Sequence, residues 1–238
     1  MTIFAADTSG KTCSAAVMKD GRVVFEGLIN RGLTHSETFL SLCDEVFCGA
    51  GCAPSDVDYF AVTRGPGSFT GLRIGMGVIK GFAFPMNKPC AAVPTLEAMA
   101  RGVLFSDAVI APVIDARRER VYCAAYLMRL DGKLVKIMEE CVLSLEELRD
   151  SLLKFMLPVL FVGDAKDICS SFCEEELTVV GAPKHFEPLR ASAVAAVALE
   201  HIEEGKTVFA EQLAPFYMQK SQAQRELEKR VKDAESKS

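Results

Sequence analysis

Hydrophobic residues in the first 30 positions form three short runs that are typical of β-strands. The runs are Ile3 to Asp7, Thr12 to Met18 and Val23 to Ile29, and Lys19-Asp20-Gly21 between the last two has the composition of a tight turn. The chain is therefore predicted to open with three strands in a meander.

The next segment predicts two helices separated by a strand. Apolar residues recur at helical spacing after Thr34, with Glu37 placed to complete a capping box, until Gly51 ends the run. A buried strand, Val57 to Thr63, then leads to a second helix from about Ser68 to Phe84, which a proline ends. Strands and helices that alternate in this way are typical of an α/β protein.

The same order of elements restarts in the second half of the chain. Strands are predicted at Ala108 to Asp115, Arg120 to Arg129 and Leu134 to Val142, followed by a helix that Ser144 caps. In both halves an apolar strand that ends in aspartate precedes a hairpin and a helix. The predicted fold is a two-lobed α/β architecture with duplicated mixed sheets flanked by helices.

The duplication divides the chain into two lobes and a tail. The first lobe is expected to comprise residues 1–103 together with 191–220, because the Ala/Val-rich helix from Ala191 to Ile202 requires burial. The second lobe is expected at residues 104–190. Residues 221–238 are rich in Lys, Arg, Glu and Gln, so a poorly ordered charged tail is predicted.

Composition excludes several classes of protein. The 238 residues are half hydrophobic, and no apolar stretch reaches the roughly 20 residues that span a bilayer. A soluble cytoplasmic protein is expected, since the N-terminus lacks the features of a secretory signal. The nine cysteines are an odd number, and we expect them to be reduced thiols in the core. The net charge of −5 argues against a broad electropositive face, so a partner would be needed to hold any nucleic acid.

Asp7-Thr8-Ser9 between the first two strands is a candidate phosphate-binding turn. The ordinary alternative is that these residues form a well-made hairpin turn. A complete nucleotide site of this type needs a matching loop in the second half, where Asp115 is followed by Ala, Arg and Arg in place of glycines. The second loop is therefore predicted to be degenerate.

The run from Arg64 to Gly75 is the most distinctive segment of the chain. Its glycine spacing fits neither a Walker loop nor a dinucleotide fingerprint, and it contains no nucleophile elbow. Within the helix, one glycine pair is Gly71/Gly75 and the other, on a different face, is Gly77/Gly81. One face can pack on the chain's own sheet while the other admits a neighbouring helix of the same or another chain.

Histidine-based metal chemistry is not expected. The three histidines, His35, His185 and His201, are far apart in sequence, so no metal-binding pair of the usual spacing is present. A peptidase would need such a pair, or a nucleophile with a base, and neither can be recognised.

Several segments together resemble the TsaB family. The shared motifs span residues 1 to about 220, and the Arg64 run is the most specific of them. They are Asp7-Thr8-Ser9, Thr34-His35-Ser36-Glu37, the run from Arg64 to Gly75, Asp115-Ala-Arg117 with Val121-Tyr122, and Pro215-x-Tyr217.

This resemblance implies an actin, heat-shock-protein and sugar-kinase-like (ASKHA) fold. It also implies a non-catalytic subunit that supports TsaD in threonylcarbamoyl transfer to N6 of adenosine 37 in tRNAs reading ANN codons. ATP and metal are expected on TsaD, with no tightly bound cofactor here and at most a vestigial nucleotide contact at Asp7, Thr8 and Ser9. The remaining implied partners are the TsaE ATPase, a second copy of the chain when TsaD is absent, and tRNA through the complex, with no membrane.

The resemblance further implies that the Thr34 and Ser68 helices contact the partner. The expected interface residues are His35, Glu37, Phe39, Arg64, Ser68, Thr70, Gly71, Leu72, Arg73, Gly75, Met76 and Ile79. Two other classes stay open as alternatives: a small ATP-dependent kinase of the same superfamily and, less favoured, a peptidase.

Overall fold

The structure is a computed structural model that describes residues 1–32, 34–103, 107–181 and 188–218. The predicted charged tail, 221–238, lies outside the described residues. Two five-stranded mixed sheets form the framework, one in each half of the chain. The two sheets have the same strand order, so the predicted duplicated fold is confirmed.

The first sheet has the order β3-β2-β1-β4-β5. Neighbours β1, β2 and β3 are antiparallel, whereas β4 and β5 run parallel to β1. Its strands are β1 (Thr2–Asp7), β2 (Cys13–Lys19), β3 (Arg22–Ile29), β4 (Tyr59–Gly65) and β5 (Cys90–Pro94).

The second sheet repeats this topology with the order β10-β9-β6-β7-β8. Here β6, β7 and β8 are antiparallel neighbours, and β9 and β10 run parallel to β6. Its strands are β6 (Val109–Asp115), β7 (Arg120–Met128), β8 (Leu134–Ser144), β9 (Val159–Val162) and β10 (Val179–Val180).

Six α-helices cover the sheets in the described part of the chain. They are α1 (His35–Gly49), α2 (Phe69–Ala83), α3 (Thr95–Arg101), α4 (Leu145–Leu153), α5 (Lys166–Cys173) and α6 (Ala191–Glu203).

The two capping boxes that the sequence predicts have different outcomes. At α4 the prediction is confirmed, because the Ser144 hydroxyl accepts from the Glu147 amide and the Glu147 carboxylate accepts from the Ser144 amide. At α1 it is wrong. Thr34 occupies the N-cap position, but its side chain accepts no capping hydrogen bond, and the Thr34 carbonyl instead accepts from the Glu37 amide at 3.1 Å.

Four packed clusters fill the space around the sheets. Helices α1 and α2 cover one face of the first sheet, while α4 and α5 cover one face of the second. Helices α3 and α6 lie between the sheets. Ala98 of α3 and Val194 of α6 pack in a cluster with residues of the first sheet. On its other side, α3 packs against the second sheet through Leu96 and Ala100. Strand β1 contributes Ile3 and Ala5 to the cluster that lies between the sheets.

None of the helices in the described ranges is both long enough and apolar enough to cross a bilayer.

Candidate functional site

Asp7 ends β1 with a fully buried carboxylate. One oxygen, Oδ1, accepts from the Ser9 amide at 3.0 Å and from the Thr63 hydroxyl at 2.7 Å. The other, Oδ2, has no hydrogen-bond partner among the described residues. Burial raises the pKa of the Asp7 carboxyl above its ordinary value, and the bonds from Ser9 and Thr63 oppose that shift.

Thr8 and Ser9 hold the beginning of α2 against the end of β1. The Thr8 hydroxyl donates to the Gly71 carbonyl at 2.8 Å, and the Ser9 carbonyl accepts from the Ser68 amide at 2.7 Å. Two of the three residues that the resemblance assigns to nucleotide contact therefore also have a structural role within the first lobe.

A cavity of about 870 Å³ lies between the lobes, next to Asp7. This volume falls in the range of sites for small molecules. Acidic and basic side chains from both lobes line it, so a small polar ligand with charges of both signs is compatible with the walls. The charged lining residues are Asp7, Lys11, Asp115, Arg117, Asp164, Lys166 and Asp167.

Part of the second-lobe wall of this cavity is formed by the β6–β7 hairpin, which contains no glycine between Asp115 and Arg120. Arg117, Arg118 and Glu119 all have left-handed backbone conformations, with φ of 66°, 57° and 59°. Such conformations are costly for residues with side chains. The Asp115 carboxylate accepts from the Arg117 amide at 2.7 Å, and Asp164 accepts from the Asp115 amide at 3.0 Å. These carboxylates thus stabilise the hairpin backbone.

Within the described residues no group of three or more His, Cys, Asp or Glu side chains is arranged to hold a metal ion.

Asp164 lines the cavity but was not predicted to do so from the sequence. The signal was present, because Gly163-Asp164 follows an apolar strand just as aspartate ends β1 and β6.

Replacing Asp7 with asparagine is expected to raise the melting temperature at pH 7, and the gain should shrink as the pH falls. Because the pKa of Asp7 is raised in the folded state, its protonated carboxyl makes its full contribution to stability only below the ordinary pKa of 3.8. That contribution is lost as the pH rises through the folded-state pKa. Asparagine keeps an acceptor for Ser9 and Thr63 and does not ionise. Thermal unfolding between pH 4 and pH 8 measures the effect. The exposed Asp44→Asn is the control, and a gain for Asp7→Asn that does not vary with pH would contradict the assignment.

Four of the predicted interface residues lie in the core of the first lobe. Phe39, Leu72 and Ile79 are fully buried and Met76 is nearly so. These four side chains are therefore not part of the surface of the chain, although the resemblance places them in the partner interface.

The outward glycine face is not the one predicted. A side chain at Gly71 would meet the Thr8 carbonyl oxygen, and one at Gly75 would meet the Thr8 hydroxyl. Gly71 and Gly75 therefore allow α2 to approach the chain's own β1, and their placement in a partner interface is corrected. A Cβ atom at Gly77 or Gly81 would meet no atom within 4 Å, so the exposed face of α2 contains these two glycines instead.

Four further predicted interface residues lie at the start of α1 or α2. The His35 Nε2–H donates to the Gly10 carbonyl at 2.9 Å, which ties α1 to the β1–β2 turn. Glu37 and Thr70 are exposed. Ser68 is exposed and caps α2 by accepting from the Gly71 amide.

The two predicted interface arginines contact the chain's own C-terminal segment. The Arg64 carbonyl accepts from the Phe216 amide at 2.7 Å, and the Arg64 guanidinium lies 5.2 Å from the Phe216 ring centre. Arg73 lies over the Phe69 ring and donates to the Tyr217 hydroxyl at 3.1 Å. Arg73 nevertheless stays exposed, so it is available to a partner, whereas Arg64 is half-buried.

The duplicated sheets, the cavity between the lobes and the aspartates at the strand ends define a two-lobed α/β protein of the actin, heat-shock-protein and sugar-kinase class. A family model described as "TsaD: tRNA N6-adenosine threonylcarbamoyltransferase" matches residues 32–227. Two curated relatives bear the name "tRNA threonylcarbamoyladenosine biosynthesis protein TsaB". The relative from Escherichia coli is 31% identical, and the match covers 95% of this chain and 98% of that protein. The relative from Bacillus subtilis is also 31% identical, and the match covers 76% of this chain and 79% of that protein.

A solved structure from Pseudomonas aeruginosa, described as an uncharacterized protein with similarity to peptidase YEAZ, is also similar. It has a TM-score of 0.77 and 28% identity, and the match covers 92% of this chain and 99% of that one. The chain belongs to the TsaB family, as the sequence motifs indicate.

Proposed function

We propose that this chain is a non-catalytic subunit of tRNA threonylcarbamoyladenosine biosynthesis that binds TsaD through the exposed face of α2. The substrate position is then N6 of adenosine 37 in tRNAs reading ANN codons. The single observation that carries the proposal is the open glycine pair on this face, in a chain whose relatives are named for that pathway.

The exposed stripe of α2 has the spacing of a helix-packing surface. Its members, Thr70, Arg73, Gly77, Gly81 and Phe84, follow one another at three or four residues, and Phe84 is 60% exposed. Two glycines in an exposed helix cost roughly 1 kcal/mol each relative to alanine. A partner helix that packs closely on them would offset this cost, and small residues permit such an approach.

Helix α1 contacts α2 and has exposed residues of its own. Leu40 of α1 is 54% exposed, and Glu37 one turn earlier is also exposed. An exposed leucine beside a glycine-lined helix favours a helical bundle with two helices of TsaD. In the absence of TsaD, a second copy of the chain would use the same face, and TsaE would bind the assembled complex.

The cavity between the lobes supports a structural role better than a catalytic one. Its second-lobe hairpin has arginines instead of the glycines of a phosphate loop, and their backbone is held in a left-handed conformation. ATP and metal are therefore assigned to TsaD. Titration calorimetry of the purified chain with Mg-ATP separates this proposal from an ATP-dependent kinase, which would bind with micromolar affinity.

A reconstituted tRNA modification assay tests the proposal directly. Purified TsaD, TsaE, threonylcarbamoyl-AMP and tRNA are combined with or without the chain, and modified nucleoside is measured by mass spectrometry. We expect transfer to require the chain, no transfer by the chain without TsaD, and near-normal transfer with Asp7→Asn. Transfer that is lost with Asp7→Asn while the complex still forms would make this subunit a participant in the chemistry.

A further inference from the structure

Two cysteines lie directly opposite each other on β7 and β8 of the second sheet. Cys123 and Cys141 are register partners, and their Sγ atoms are 3.7 Å apart. Each thiol is also within 3.9 Å of the other residue's carbonyl oxygen. Neither residue belongs to the cavity between the lobes or to the exposed face of α2.

The two thiols differ in access to solvent. Cys123 lies on an inner strand and is fully buried, whereas Cys141 lies on β8, the edge strand, and is half-buried. A small oxidant arriving from solvent therefore reaches Cys141 first. Within the core, Leu148 of α4 and Cys169 of α5 pack in the same cluster as Cys123.

The contact between the thiols also sets their reactivity. The contact between the two sulfur atoms lowers the pKa of the more accessible Cys141 thiol below its ordinary value, and the same contact, together with burial, raises the pKa of Cys123. The thiolate is the form of cysteine that attacks oxidants. Cys141 is thus the nucleophile of the pair, and Cys123 keeps its proton.

We propose that Cys123 and Cys141 are a redox modification site that forms a reversible disulfide on exposure to hydrogen peroxide. The Cys141 thiolate attacks one peroxide oxygen, so an S–O bond forms, the O–O bond breaks and hydroxide leaves, giving a sulfenic acid. The Cys123 sulfur then attacks the Cys141 sulfur, the S–O bond breaks, and water leaves with the Cys123 proton. Two thiols are oxidised and one peroxide is reduced to two waters.

Little backbone movement is needed for this product. Directly opposed residues of an antiparallel pair have Cα separations of roughly 4.5 to 5.5 Å, which lie within the range that a disulfide bridges. The bond would join the edge strand covalently to its neighbour, and constraining the unfolded chain in this way stabilises the folded state. The oxidised protein is therefore expected to unfold at a higher temperature than the reduced protein.

Peptide mapping of the full chain tests the proposal. After treatment with hydrogen peroxide and alkylation of remaining thiols, a non-reduced tryptic digest should contain peptide 121–129 linked to peptide 137–149, with a mass about 2 Da below their sum. Dithiothreitol should release the two peptides and return the melting temperature to its starting value. A digest without the linked pair, or with a different cysteine pair linked, would overturn the proposal.

Three variants assign the roles. Cys48→Ser removes an exposed cysteine outside the pair and should leave the linked product unchanged. Cys141→Ser should abolish it. Cys123→Ser should leave a sulfenic acid on Cys141 that dimedone labels, and labelling of Cys48 with none on Cys141 would contradict the order of attack. The peptide map of the peroxide-treated chain without substitutions tests the proposal even if Cys123→Ser or Cys141→Ser fails to fold.

Discussion

The double variant Gly77→Leu/Gly81→Leu is expected to bind TsaD at least tenfold more weakly than the original chain and to unfold at a higher temperature. Both leucines would project from the exposed face of α2, where no atom lies within 4 Å of either Cβ position. They would push a closely packed partner helix away, and overpacking of this kind costs about 1 to 3 kcal/mol. In the isolated chain the same change replaces two poor helix formers with good ones, a gain of roughly 1 kcal/mol each.

Opposite effects on stability and binding make this prediction specific. Titration calorimetry with purified TsaD measures the affinity, and thermal unfolding of the chain alone measures the stability. Gly181→Leu is the matched control, because this second-lobe glycine also has nothing within 4 Å of its Cβ and lies far from α2 in sequence. Unaltered affinity in the double variant would remove the exposed face of α2 from the interface. The same variant should also shift any homodimer of the isolated chain towards monomer.

The positions of strands and helices could be predicted because each follows from a local pattern. Apolar runs that end in Asp7 and Asp115 mark equivalent strands in the two sheets, and Ser144 with Glu147 marks the start of α4. Thr34 with Glu37 has the same spacing, yet no side-chain cap forms there. The pattern shows that a helix can begin at this point but does not fix the rotamer of the cap.

The orientation of α2 was harder to predict. Gly71/Gly75 and Gly77/Gly81 have the same spacing, so spacing cannot tell which pair packs on the sheet. The rows of residues four apart do contain a signal: Gly71 and Gly75 continue to Ile79 and Ala83, which are buried, whereas the row of Gly77 and Gly81 begins with the exposed Arg73. Close approach of Thr8 to this face depends on the tertiary fold, because β1 is separated from α2 by more than 60 residues.

The cavity between the lobes depends even more strongly on tertiary structure. Asp7 and Asp115 could be recognised as the ends of equivalent strands, but their common cavity results from the way α3 and α6 pack between the sheets. Tyr217 was recognisable as part of a family motif, while the contacts of Phe216 with Arg64 and of Tyr217 with Arg73 join segments that are about 150 residues apart. Such contacts leave no periodic trace in a single sequence.

Gly71→Ala is expected to destabilise the chain, whereas Gly81→Ala on the same helix is expected to stabilise it. A methyl group at Gly71 would meet the backbone carbonyl oxygen of Thr8, which cannot move unless the end of β1 moves with it. The resulting strain, about 1 to 3 kcal/mol, exceeds the gain of up to roughly 1 kcal/mol from better helix propensity. At Gly81 the methyl group enters open space, so the propensity gain remains. The midpoints of thermal unfolding of the two variants should thus shift in opposite directions. Equal or greater stability for Gly71→Ala would mean that this face of α2 does not pack on Thr8, and the assignment of the exposed face to Gly77 and Gly81 would then be wrong.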